Sequence, residues 1–272
     1  MKKILFLFYI SIISSCSISN IKFEAIKPAE INIPTEIETV AIINRSTPKK
    51  NNVAENILDG LLSGEAPGVD KFSSNDCINS LKLKMTNSPR FNLISTSGIE
   101  FKGTGTSEMP KPLKWKKIEN NFKNYDVDAL IVLESFDSSS KVLDLGIKNR
   151  KVKVDGKWKK VIEHVAALDV EVQAGWRIYD LKNKKIIDEQ KFFDRKLFEN
   201  SDKTIVRAKK GLPKLGYAIS QAAIFSGEQF YFRVSPHYIT INREYYKNLK
   251  NIKGFKIKSD NSNNLFIKAS NY

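Results

Sequence analysis

Residues 167–180 read ALDVEVQAGWRIYD. Leu168, Val170, Val172, Ala174, Trp176 and Ile178 fall on one side of a period of two; Asp169, Glu171, Gln173, Arg177 and Tyr179 fall on the other. Successive side chains of a strand point to opposite faces, so this spacing specifies one buried face and one wet face, the pattern of antiparallel sheets. The alternation runs on in both directions, through KVLDLGIKNRKVKVDGKWKKVIEHVA (141–166) before it and LKNKKIIDEQKFFD (181–194) after it. Asp155-Gly156 is a strong hairpin pair, and DLKNKK (180–185) supplies the next turn. This part of the chain is expected to form an antiparallel meander.

The preceding half has a different grammar. IETVAIINR (37–45) and DALIVLESF (128–136) are apolar on both faces, the mark of strands covered on both sides, as in parallel sheets. Between them, NVAENILDGLLSG (52–64) carries Val53, Ile57, Leu58, Leu61 and Leu62 at helical spacing. A second helix is expected from a Ser74 N-cap to about Asn87. A short strand RFNLIS (90–95), a glycine-rich loop over 96–112 read as mobile, and a helix over 113–125 complete this half. Beyond the meander, the pattern predicts a short helix ending near Gly211. A longer one starts at Pro213, with Leu215, Ile219, Ala222, Ala223 and Phe230 turned to the sheet. HYITINREYY (237–246) reads as either a further strand or the start of an appended element. The fold class is therefore α/β (α+β): a three-layer domain whose mixed sheet is parallel in its first half and an antiparallel meander in its second, with helices packed on it.

The amino terminus follows other rules. Lys2-Lys3 is followed by ten mostly apolar residues, ILFLFYISII (4–13), then Ser14-Ser15-Cys16. Ten to twelve residues rise only about 15–18 Å as a helix, too short for a hydrocarbon core of roughly 30 Å, and the order basic, apolar, small is that of a secretory leader. Ile13-Ser14-Ser15-Cys16 resembles the lipobox of bacterial lipoproteins. The resemblance implies that residues 1–15 are removed and that the Cys16 thiol takes the lipid, with acyl chains such as palmitate as the anchor. Four segments follow: 1–15 signal peptide, 16–36 lipid-anchored tether with Pro28 and Pro34, 37–235 mixed α/β domain, and 236–272 polar C-terminal extension.

The formal net charge is +15; the leader lysines account for 2 of it, leaving +13. The excess is lysine, which shares AT-rich codons with the abundant Asn and Ile, while arginine, the residue suited to bidentate phosphate contacts, is sparse. No nucleic-acid partner is expected. Basic clusters stand at 111–123, 148–160 and 247–258, and the expected counterpart is an anionic lipid or glycan, or another envelope protein.

Recognisable reaction chemistry is lacking in the sequence. Cys77 reads as a helix cysteine with Ile78, Leu81 and Met85, and no second thiol of the mature chain besides Cys16 remains to pair with it. His164 sits on the solvent face of a strand, His237 in a boundary loop, and GTGTSE (103–108) lacks the lysine of a phosphate-binding loop. Asp126 and Asp128 precede a buried strand. The most interesting polar spot is Asn44-Arg45-Ser46 at the carboxyl end of the first strand, where ligands of α/β sheets gather, although an arginine that caps neighbouring carbonyls is favoured there. No cofactor, metal site or catalytic residue is expected.

With the order of elements in hand, the chain resembles envelope domains of the curli-secretion lipoprotein type and the amino-terminal domain of TolB, which open on a strand like TVAIINR and carry a late hairpin like GWRIYDLKNKKIIDE. PAEINIPTEIETVAIINRS, ALIVLESFD, GWRIYD and RVSPHY are similar to an uncharacterised Bacteroidota lipoprotein family over about residues 28–243. Members of that family continue from the position of SPHYITINREYY into tetratricopeptide-like repeats, where this chain has a polar tail. The resemblance implies a non-catalytic lipoprotein of the bacterial cell envelope that binds or assembles with another envelope component. A subunit of an envelope secretion or export complex, forming an oligomer, is the alternative; a hydrolase with a site near residues 44–46 is the third reading. SISNIK after Cys16 carries no acidic run, which points to the periplasmic face of the outer membrane.

Overall fold

The computed structural model describes residues 18–48 and 68–246. The leader with Cys16, the helix expected over 52–64 and the basic stretch 247–258 lie outside them. In chain order the elements are β1 (Ile18–Lys27), β2 (Thr39–Asn44), α1 (Val69–Met85), β3 (Asn92–Leu93), α2 (Trp115–Phe122), β4 (Ala129–Val154), β5 (Lys157–Asp180), β6 (Lys185–Asp202), α3 (Ile205–Lys210), α4 (Leu215–Val234) and β7 (His237–Tyr246). Residues 28–237 form one compact unit; the described parts of the other are strands β1 and β7, hydrogen-bonded as a two-stranded sheet.

The sheet of the larger unit runs β3-β2-β4-β5-β6. β2 is parallel to both β3 and β4, whereas β4, β5 and β6 are antiparallel. This is the α/β architecture with the mixed sheet expected from the two apolar grammars. Each face carries its own core. On one side Val40, Ile42, Ala129, Ile131, Leu133 and the even residues 168–178 of β5 meet Cys77, Ile78, Leu81 and Met85 of α1, and Ala218, Ile219, Ala222, Ala223 and Phe230 of α4. On the other, Ala41, Ile43, Leu130, Val132 and Tyr179 meet Ile118 and Phe122 of α2 together with Phe101 and Leu113.

Trp176, fully buried, stacks on Phe230 with ring centroids 4.0 Å apart and planes 7° apart, an aromatic pair worth about 1 kcal/mol beyond its buried area. The turn Asp155-Gly156 has φ of 50° and 75°, the left-handed pair that a two-residue hairpin requires.

Several boundaries differ from the sequence expectation. α1 begins at Val69 instead of capping at Ser74; Ser74 lies inside the helix, buried, its hydroxyl donating to the Lys71 carbonyl. α4 begins at Leu215, two residues beyond Pro213. The segment 16–36, expected as a tether, is structured in its described residues. Ile18–Lys27 is a strand, and Ile21, Phe23 and Ala25 alternate with Lys22 and Glu24 in a strand period that the two prolines obscured. Further on, the Glu30 and Ile31 amides donate to the Arg233 carbonyl, the Arg90 guanidinium holds the carbonyls of Ile33 and Pro34, and Ile33 is buried. The first ten residues of the expected polar extension 236–272 that follow Pro236 form strand β7.

α1 and α4 approach closely because Gly227 has no side chain: a Cβ there would lie 2.1 Å from the Cys77 carbonyl oxygen. Gly227→Ala is therefore expected to force the helices apart and cost about 1–3 kcal/mol, seen as a lower urea midpoint at unchanged slope.

Candidate functional site

Beside the carboxyl end of β2, where β4 has run only five residues, a buried carboxylate organises the polar groups. Leu133 pairs with Trp176 and Ser135 with Gly175, so Glu134 is the extra residue of a β-bulge. The bulge reverses the parity of the strand: Leu133 and Phe136, three apart, both enter the same core. Glu134 is left pointing to the opposite face, 0% exposed. Its Oε1 accepts from the Tyr179 hydroxyl at 2.6 Å and lies 3.3 Å from Arg177 Nη1; its Oε2 pairs with Arg45 Nη1 at 2.7 Å.

The donors around it are engaged in turn. Arg177 grips Glu189 through Nε at 2.7 Å and Nη2 at 3.0 Å, and Nη1 donates to the Pro110 carbonyl. Arg45 donates to the carbonyls of Lys102 and Lys111, and Tyr179 accepts the Leu113 amide. Burial, with the Glu134 charge, pushes the Tyr179 phenol up, so it stays a donor. Burial opposes the charge on Arg177, but Glu189 and Glu134 raise its pKa further.

The 96–112 loop is thus fastened to the sheet at four backbone positions, Lys102, Pro110, Lys111 and the adjoining Leu113. The sequence reading of a mobile loop does not match this geometry. Gly103 completes the fastening: its amide donates to the Thr47 carbonyl, and a Cβ there would lie 2.3 Å from the Arg45 carbonyl oxygen. Gly175, where a Cβ would meet Ser135 Oγ at 2.4 Å and Met109 at 2.7 Å, lets the same loop close over β5.

The expected residues Asn44, Arg45 and Ser46 lie together here, each with internal partners. Asn44 Nδ2 donates to Ser74 Oγ and Asn75 Oδ1, while Asn44 Oδ1 accepts from the amide and hydroxyl of Ser46. Arg45 caps carbonyls, as the favoured reading of the sequence had it, and also pairs with Glu134. The sequence reading missed Glu134, Arg177 and Tyr179; the one available signal was an acidic residue inside the apolar run ALIVLESF.

Elsewhere the singled-out residues are structural. Cys77 is fully buried and burial pushes its thiol up, away from reactivity. Asp128 accepts from the amides of Glu38 and Thr39 and the Thr39 hydroxyl; burial alone would push its carboxyl up, yet these donors hold it below the usual range. His237 is buried against Phe232, ring centroids 4.5 Å apart. Among the described residues no cluster of His, Cys, Asp and Glu is placed to hold a metal ion. A cleft of about 210 Å³ beside α2 is lined by Trp115, Ile118, Phe122, Tyr125, Val127 and Leu181, and its Trp115 stands edge-on to Tyr179, ring centroids 5.8 Å apart. No described helix is long and apolar enough to cross a membrane.

A family model described as a domain of unknown function (DUF8603) matches residues 37–246. No curated protein matches the chain. Among solved structures, the hypothetical protein CT253 from Chlamydia trachomatis is 10% identical with a TM-score of 0.28, over 73% of this chain and 98% of its own. A protein described as a neuraminyllactose-binding hemagglutinin homolog from Helicobacter pylori is 11% identical with a TM-score of 0.28, over 77% and 88%. At these scores neither likeness bears on the function.

Removing the Glu134 charge takes the carboxylate from the shielded Arg45 guanidinium and leaves Arg177 with Glu189 alone. Glu134→Gln should cost about 3 kcal/mol in chemical unfolding and expose the 96–112 loop to protease, whereas Tyr179→Phe, which removes the bond to Glu134 and leaves the Leu113 amide without its acceptor, should cost about 2 kcal/mol.

A second carboxyl gives a pH signature. Asp70, half-buried in the first turn of α1, is pushed up to about 6, chiefly by burial, against the hydrogen bond it accepts from Ser138 at 2.6 Å. A folded pKa above the unfolded value means that its contribution is fully present below about pH 4 and lost as pH rises through about 6. Asp70→Asn should therefore gain on the natural protein from pH 4 to pH 8 by an amount on the order of 1 kcal/mol, measured as the difference in urea unfolding free energy.

Proposed function

This chain belongs to the DUF8603 family, and we propose that it is a non-catalytic, lipid-anchored protein of the bacterial cell envelope that binds or assembles with another envelope component. The observation that carries the reading is the leader. Lys2-Lys3, the apolar run 4–13 and Ile13-Ser14-Ser15-Cys16 occur in the order that a lipoprotein signal requires, with the thiol where the lipid would be attached. Its resemblance to the Bacteroidota lipoprotein family points the same way. The absence of acidic residues in SISNIK favours the periplasmic face of the outer membrane.

The geometry at the end of β2 supports a scaffold over a catalyst. Arg45, Arg177, Tyr179 and Glu134 satisfy one another and hold a loop, so the place where an α/β sheet ordinarily receives a ligand is filled by the protein's own backbone.

Cys16→Ala is expected to abolish incorporation of labelled fatty acid and to release the chain from the membrane fraction. Continued labelling of that variant would overturn the reading.

A further inference from the structure

The pairing of β5 with β6 stops at His164 opposite Asp202, but β4 and β5 stay paired from Ile147 opposite His164 to Val154 opposite Lys157. Past that boundary pair seven residue pairs, from Lys148 opposite Glu163 to Val154 opposite Lys157, or about 23 Å, continue as a two-stranded ribbon beyond the sheet. We propose that one face of this ribbon is a docking surface for the anionic headgroup layer of a lipid bilayer. Such a surface goes beyond the anchored-lipoprotein reading, since it belongs to the folded unit and not to the leader.

Cross-strand partners share a face, so the register sorts the ribbon into two. Ile147, Asn149, Lys151 and Lys153 lie with His164, Ile162, Lys160 and Trp158. That face has three lysines and three large apolar side chains; none of its own residues is a carboxylate, and Asp202 of β6 adjoins it at His164, where the ribbon leaves the sheet. The apolar groups stand in water: Ile147 is 60% exposed, Trp158 69% and Ile162 54%. The other face is differently built. It also carries three lysines, Lys148, Lys157 and Lys159, but there Arg150 pairs with Glu163 at 3.2 Å, and the apolar side chains are valines, Val152 and Val161 half-buried and Val154 39% exposed, with no aromatic ring.

A polar partner alone would leave Trp158, Ile147 and Ile162 unaccounted for, and an apolar partner would strand the lysines. The headgroup layer satisfies both. The indole sits at the boundary between headgroups and acyl chains, the isoleucines enter its apolar side, and lysine stems lie along that boundary with their ammonium groups among the phosphates. A second copy of the same face fits poorly, because a two-fold contact would set lysine against lysine.

The test uses the full chain reconstituted into vesicles whose lipids are brominated near the headgroup end of the acyl chains. Trp158 emission is isolated by subtracting that of Trp158→Phe, which leaves Trp115 and Trp176. In vesicles containing phosphatidylglycerol, Trp158 is expected to be quenched; in phosphatidylcholine alone it is not. Replacing Lys151, Lys153 and Lys160 by Gln should lower the ratio of docked to undocked ribbon by at least about tenfold, with unchanged circular dichroism confirming the fold. Salt at 1 M, which shortens the screening length to about 3 Å, should do the same. An unquenched Trp158 in anionic vesicles, or equal quenching in both lipids, overturns the proposal. So does disulfide linkage between copies carrying Asp155→Cys when Trp158 remains unquenched, which would make the ribbon a contact between chains. Fatty-acid labelling of the same preparations reads the anchor separately: a labelled chain with unquenched Trp158 defeats the docking surface alone, and an unlabelled chain with quenched Trp158 defeats the anchor alone.

Discussion

The larger unit turns on one buried carboxylate. Taking Glu134 out of water costs several kcal/mol, and only close, well-aimed donors offset that cost. Arg45 comes from the end of β2, Arg177 and Tyr179 from β5, and all three meet Glu134 on the bulge of β4. Three neighbouring strands are therefore tied at a point where backbone hydrogen bonds alone would fix only their register. The same guanidinium groups then hold the carbonyls of residues 102, 110 and 111, so the long loop between β3 and α2 is ordered by the strands beneath it. Gly103 and Gly175 serve this arrangement: a methyl group at Gly103 would run into the Arg45 backbone, and one at Gly175 would displace the Ser135 and Met109 side chains.

The sheet itself was legible because its energetics are periodic. Val40 to Ile43 and Ala129 to Leu133 are buried on both faces, and the even residues of β5 fill one core without exception from Leu168 to Ile178. Burial of apolar area is the dominant force driving the chain to fold, and it leaves its period in the sequence. The bulge is a different kind of fact. An extra residue in one strand is defined only against the partner strand, and nothing in ALIVLESF says that Gly175 will stand opposite Ser135. Reading the run as a regular strand places Glu134 on a face without showing what awaits it there. Arg45 could be singled out by its place at a strand end, but its partner lay 89 residues away.

Boundaries failed for related reasons. Ser74 has the chemistry of an N-cap and bonds a carbonyl within α1 instead, since five more residues of helix bring Asp70 to Ser138 of β4. The proline-bearing segment before β2 looked like a tether because local composition argues for chain flexibility. Long-range partners decide otherwise: Arg90 and the Arg233 carbonyl hold residues 30–34, and Ile33 is buried.

Charge illustrates the same division between what composition carries and what placement carries. A total of +15 built from lysine says little by itself, because a solvated lysine on an ordinary surface and a lysine facing a phosphate layer are identical in sequence. The body of the domain uses its charges in opposed pairs, as Lys141 and Arg195 with Asp169, or Arg233 with Asp194. Past His164 the third strand is gone, and on the face that carries Trp158 the carboxylates are gone as well. Like charges on one rigid surface raise its potential, and interleaved apolar groups confine its partner to something both negatively charged and apolar beneath. It is this local failure to neutralise, on a ribbon whose hydrogen-bond register leaves the side chains no choice of face, that gives the basic composition a physical meaning.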